Sequence, residues 1–237
     1  MRIHVINPNS TASMTAQIGR AARRAASDAT EIDLVTGTNT PVSIEGYADE
    51  ALAVPAMLAA IHAAQARGAG AHVIACFDDP GLAAAREIAS APVIGICQAG
   101  VQVAMILGTR FSIVTTLARS VPIIEDLVES YGAGRHCRRV RSIDLPVLAL
   151  EDNPAAYDLI AAEVRAAQRE DGAEVVVLGC AGMAEMCKRL TAETGVPVID
   201  GVTAAVRQAE ALIGMGYRTS KIGGYATPRP KTGGFAA

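Results

Sequence analysis

Gly70-Ala-His-Val-Ile-Ala-Cys76 and Gly172-Ala-Glu-Val-Val-Val-Leu-Gly-Cys180 are the stretches on which the fold turns. Each is a short apolar run that opens on glycine and closes on cysteine. Each is followed by a helix-like run and then by a second short apolar run, Pro92-Val-Ile-Gly95 or Pro197-Val-Ile-Asp200. The cysteines lie 104 positions apart and the prolines 105. Residues 92–104 and 197–209 agree at six of thirteen positions, so the similarity continues past the strands. Self-similarity of this kind predicts a duplicated unit with one thiol at the end of a buried strand in each half. Two thiols facing one another across a pseudo-twofold cleft form an acid and base pair.

Working outward, short apolar runs alternate with longer alanine-rich ones along the chain. Strands are predicted over 3–6, 31–35, 72–75, 93–96, 111–115, 138–143, 175–178, 198–199 and 221–225. Helices are predicted over 12–26, 48–66, 81–90, 98–107, 120–131, 154–170, 183–194 and 202–215. This alternation points to an α/β protein with parallel sheets covered on both faces. The pattern restarts at Arg110-Phe-Ser-Ile-Val-Thr-Thr116, which echoes Arg2-Ile-His-Val-Ile-Asn-Pro8. The expected division is therefore a first lobe over 1–108 and a second over 109–207, with 208–237 as a C-terminal segment. From Thr227 the prolines and glycines predict an extended or mobile end.

At 237 residues and a net charge of −3, the chain gives no electrostatic case for nucleic acid. The apolar start is too short for a signal peptide, and five cysteines without scaffold spacing predict free thiols in a reducing cytoplasm. Residues 88–109 carry no charge and are long enough to span a bilayer. Pro92, Gly95, Gln98, Gly100 and Gln102 instead fit a buried strand and helix, so no membrane partner is expected.

Ligands of open parallel sheets sit at the carboxyl ends of the strands. The segments there are 7–10, 41–46, 76–79, 115–116 and 180–182, all small or polar. Cys76 and Cys180 each stand before a helix start, which favours a thiolate. Asp79 and Pro80 read as the cap and first position of the next helix. One thiolate can remove a proton from a carbon while the opposite thiol delivers one to the other face. The rival reading is a small apolar filler, which Cys97, Cys137 and Cys187 retain. Arg135-His-Cys-Arg-Arg-Val-Arg141 reads as a solvated face or subunit contact, since no aromatics interleave it. The histidines show no metal-ligand spacing, Cys-x-x-Cys is absent, and no phosphate loop is present, so neither metal nor nucleotide is expected.

Residues 6–15, 43–46, 75–81 and 177–183, with Pro92–Cys97 and Pro197–Val202, resemble the aspartate/glutamate/hydantoin racemase superfamily over nearly the whole chain. The resemblance implies two flavodoxin-like lobes, a cofactor- and metal-independent mechanism, a homo-oligomer, and a last stretch returning to the first lobe. Amino-acid racemases of this superfamily place an Asp in the first strand loop and a His after the second cysteine. Here the matching places hold Asn7 or Asn9 and Ala181-Gly182. Losing both helpers suits a more acidic carbon, such as C5 of a 5-substituted hydantoin, and the pocket segments hold no Arg or Lys for a carboxylate. Cys76 and Cys180 are thus the expected catalytic pair. Asn9, Ser43, Ile44, Phe77, Thr116 and Gly182 are the expected substrate-binding residues. Allantoin, itself a 5-substituted hydantoin, is the nearest alternative substrate. A decarboxylase or isomerase of the superfamily and a non-catalytic two-lobed binder are the others.

Overall fold

The structure is a computed structural model that describes residues 1–229. The expected extended end falls largely on 230–237, outside the described residues. The chain runs β1 (Arg2–Asn7), α1 (Ala12–Ala25), β2 (Glu31–Thr36), α2 (Tyr47–Ala66), β3 (Ala71–Ile74), α3 (Leu82–Ile88), β4 (Val93–Gly95) and α4 (Ile96–Leu107). It continues with β5 (Phe111–Thr115), α5 (Val121–Ser130), β6 (Cys137–Ser142), α6 (Ala149–Asp152), α7 (Ala156–Ala166), β7 (Val175–Leu178), α8 (Cys187–Thr194), β8 (Val198–Asp200) and α9 (Gly201–Gly214). Two four-stranded sheets result, ordered β2-β1-β3-β4 and β6-β5-β7-β8, with every pairing parallel. The two orders are the same once the second sheet is renumbered, and both follow the flavodoxin-like pattern, as the duplication requires.

The central strands β3, β5 and β7 are buried along their whole length, as continuous apolar runs covered on both faces must be. α1 buries Met14, Ile18, Ala21, Ala22 and Ala25, a 3–4 spacing that turns one stripe toward the core. Burying each large aliphatic side chain of this core contributes about 1.5–3 kcal/mol.

The last helix of each repeat leaves its own sheet. α4 follows β4 yet packs on β7 and β8, while α9 follows β8 yet packs on β3, β4 and α1. The two helices also lie against each other. Glycine makes that approach possible. A Cβ on Gly201 would collide with the Ile96 carbonyl oxygen, and one on Gly100 would stand 2.9 Å from Val177 Cγ1. One continuous apolar core consequently joins β1 and β3 to β5 and β7 through Val101, Ala104, Val202 and Val206. Beyond α9, Thr219 hydrogen-bonds the Ser90 and Ala91 carbonyls, and Lys221 Nζ donates to the carbonyls of Arg86 and Glu87.

Four local readings change. Residues 221–225 form no strand: Gly223 takes φ 72°, Gly223–Tyr225 is a 3-10 turn, and Lys221 spends itself on the end of α3. Asp79 does not cap α3, whose N-cap is the left-handed Gly81, with Pro80 outside the helix. Instead its carboxylate accepts from the N–H groups of Cys97 and Gln98 (3.1 and 2.9 Å), so it caps α4. Residue 95 must be glycine for this, because a Cβ there would fall on the Asp79 carboxyl group. Cys137 opens β6 and does not sit in a loop. In the basic run, Arg141 is buried and bound to Asp171 at 2.7 Å, Glu163 and Glu170, while Arg135, Arg138 and Arg139 stay exposed. Among the described residues no helix is long and apolar enough to cross a membrane. The uncharged stretch over 88–109 is spread over the end of α3, β4 and α4.

Candidate active site

Matched strands deliver matched thiols. Cys76 lies just past the end of β3 and Cys180 just past the end of β7, and both line one cavity of about 410 Å³, its open mouth included. The first lobe contributes Asn9 from beyond β1, Ile44 from the loop before α2, and Phe77 and Asp78 after Cys76. The second contributes Thr115 and Thr116 at the end of β5, then Ser120, Val147 and Ala181. Met14 of α1 completes the wall. Its larger apolar lining residues are Met14, Ile44, Phe77 and Val147; its polar ones include Asn9, Thr115, Thr116, Ser120 and Asp78. Among the described residues no Lys, Arg or His lines it.

Asn9, Ile44, Cys76, Phe77, Thr116 and Cys180 therefore come together as the sequence predicts. Two positions do not line the cavity. The Ser43 hydroxyl hydrogen-bonds Glu45 Oε1 instead. Gly182 lies behind Cys180, with its N–H close enough to favour a charge on that sulfur. Asn9 is held rigidly: its Oδ1 accepts from Asn7 Nδ2 at 2.8 Å and from the Thr11 N–H at 3.0 Å. Met14, Ser120 and Val147 were not singled out, because none belongs to a strand-end segment. Their arrival depends on how α1 and the β5–α5 and β6–α6 loops pack.

The electrostatics differ from the expectation that a helix start lowers each thiol. Burial wins. It raises Cys180 to about 11 against the opposing Gly182 N–H, with the charges of Asp78 and Glu45 adding to the rise. Burial also pushes Cys76 far above the ordinary thiol range, and Asp78, Cys180 and Glu50 push it the same way. Asp78 itself is raised to about 7 by burial and by the neighbouring Glu50 and Asp79 carboxylates. Asp79 is raised to about 6 by burial, although Gln98, Tyr131 and Cys97 all donate to it. At neutral pH both thiols keep their protons. Among the described residues no group of three His, Cys, Asp or Glu side chains has metal-binding placement.

Two doubly wound lobes thus present one thiol each to the same cavity. The chain belongs to the Asp/Glu/Hydantoin racemase family, whose family description matches residues 3–209. It is 63% identical over 232 residues to a hydantoin racemase of Rhizobium meliloti, covering 98% of this chain and 96% of that protein. Among solved structures, an allantoin racemase from Klebsiella pneumoniae superposes with a TM-score of 0.95 at 49% identity, over 98% of this chain and 95% of that one. Glutamate racemase from Francisella tularensis shares the two-lobed fold at 16% identity, with a TM-score of 0.67 over 91% of this chain and 81% of that one.

Proposed function

We propose that this enzyme racemises 5-monosubstituted hydantoins by moving a proton at C5 between Cys76 and Cys180. The observation that carries the reading is the pair of equivalent strand-end cysteines that line the same cavity. One sulfur, as thiolate, takes the C5 proton and leaves an enolate. The other, as thiol, gives its proton to the opposite face, and the roles reverse for the other hand. A neutral ring suits a cavity that no Lys or Arg among the described residues lines, and proton transfer between two thiols calls for no metal or cofactor. Asn9, Ile44, Phe77 and Thr116 bind the ring and its substituent. The working form is a cytoplasmic homo-oligomer with reduced thiols.

The 49% identical allantoin racemase favours a second substrate of the same chemistry. Allantoin differs in carrying a ureido group at C5. The apolar wall of Met14, Ile44, Phe77 and Val147 fits an alkyl or aryl substituent better than a hydrogen-bonding one. The test is proton NMR of optically pure 5-benzylhydantoin in D2O with enzyme, followed on a chiral column and repeated with allantoin. Loss of the C5 signal together with loss of optical purity is the expected result. Background rates on both compounds would end the racemase reading.

A further inference from the structure

Three groups that line the cavity can ionise: Cys76, Cys180 and Asp78. Asp78 is the least explained of them. The residue is 7% exposed and lines the cavity beside both thiols, and among the described residues no N–H or O–H group donates to its carboxylate and no cation pairs with it. The adjacent Asp79 shows the contrast, with two backbone N–H groups and the Tyr131 hydroxyl at 2.7 Å. A carboxylate that the protein's own donors leave open to the cavity is available to whatever occupies that cavity.

Two carboxylates act on Asp78, Glu50 from α2 and Asp79 next in the chain, and the two thiols share its cavity. Glu45, in the loop before α2, acts on Cys180. A thiolate forming beside an ionised Asp78 would put two like charges in one small, largely buried space. The charge of Asp78 opposes ionisation of both cysteines. A thiolate paired with a neutral Asp78 avoids that repulsion and needs no proton from solvent.

We propose that Asp78 holds the single negative charge of the resting cavity, takes a proton from a cysteine thiol when substrate binds, and then donates a hydrogen bond to the enolate oxygen. This rests on the hydantoin reading above. The protons balance. Carboxylate and thiol become carboxylic acid and thiolate. The thiolate then takes the C5 proton, and the electron pair moves onto the ring carbonyl oxygen, which the Asp78 hydroxyl group faces. The opposite thiol protonates C5, and the thiolate left there recovers its proton from Asp78. Resting and reactive forms hold the same number of protons, so the rate stops depending on pH once Asp78 has ionised. A neutral carboxyl group aimed at a developing oxyanion is a strong electrostatic stabiliser in a site that excludes water.

The experiment is the pH profile of kcat/KM for racemisation of 5-benzylhydantoin by the wild type, Asp78→Asn and Asp78→Ala. The wild type is expected to rise about tenfold per pH unit up to about 7 and then to run level. Asp78→Asn, which still donates a hydrogen bond but no longer exchanges a proton, is expected to keep climbing about tenfold per unit above that point. Asp78→Ala should climb in parallel but lie about tenfold or more below Asp78→Asn, having lost the donor. Ionisation of the substrate cancels in the ratio of variant to wild type. A ratio that does not change with pH overturns the proposal, because a merely structural role lowers every point equally. A wild-type profile that climbs without levelling overturns it without any variant. If the wild type exchanges no C5 proton at all, it is the racemase reading that fails.

Discussion

Replacing either cavity sulfur with oxygen isolates the chemistry at the scale of one atom. Cys76→Ser and Cys180→Ser are each expected to lose about 10²–10⁴-fold in racemisation, since a serine hydroxyl is too weak an acid to replace a thiol. Full racemisation by both single variants, measured on a chiral column, would rule out a two-thiol mechanism. The environment of the thiols makes a second, independent prediction. Asp78 raises both of them, so Asp78→Asn lowers them and increases the thiolate fraction at a given pH. Iodoacetamide should therefore label the two cysteines several-fold faster in Asp78→Asn than in the wild type at pH of about 8. Equal or slower labelling, read by mass spectrometry, would contradict the repulsion. The cysteines were legible in the sequence because duplication marks them twice. Asp78 could be read from sequence only as a candidate helper base beside Cys76; burial, and then Glu50 brought near by the packing of α2, give it its raised value, and neither leaves a local trace. Asp79 misled for a related reason. An Asp before Pro fits a cap on the following helix, and only the nearness of Gly95 assigns it to α4.

Elements carry their own consequences. On the neighbouring strands β1 and β3, His4 and His72 stand opposite one another, with their Nδ1 atoms 3.2 Å apart and both Nε2 atoms buried without partners among the described residues. Burial lowers His4 to about 4 and His72 to about 3, the latter also through His4. Because the folded values lie below the unfolded value of about 6.5, the unfolded chain binds more protons as pH falls. Stability from this pair is complete above that value and is lost progressively as acid brings pH down toward 4. His4→Leu with His72→Leu should flatten the fall in urea midpoint between pH of about 6.5 and 4 relative to the wild type. An unchanged slope would show that these rings do not set acid stability. Gly201→Ala tests the helix crossing: its methyl group meets the Ile96 carbonyl, and a loss of about 1–3 kcal/mol is expected in urea unfolding. A midpoint equal to the wild type's would mean the crossing relaxes freely. Most strands could be read from apolar runs bounded by glycine and proline, since two-sided burial leaves that trace directly. Residues 221–225 look similar but contain Gly223 at φ 72° and bind by a lysine side chain, which no hydropathy pattern reveals.

At the scale of the molecule, the exchange of α4 and α9 ties the sheets into one core, so unfolding should be a single transition. Cysteine accessibility at Cys137 in the second lobe and proteolysis of the first should report the same urea midpoint. Midpoints separated by more than experimental error would show lobes that unfold alone. The duplication made the two lobes legible, and strand order followed from it. The helix exchange was not legible, because α4 and α9 are equally apolar whichever sheet they cover. Neither half, then, is self-sufficient: each holds one thiol and lends its final helix to the other. The peptide link around residue 108 does not hold them together; the lent helices do. Two fragments cut there are expected to be inert apart and to regain racemisation on mixing, measured on a chiral column, which would make the pair a reporter of proximity between whatever two partners carry them.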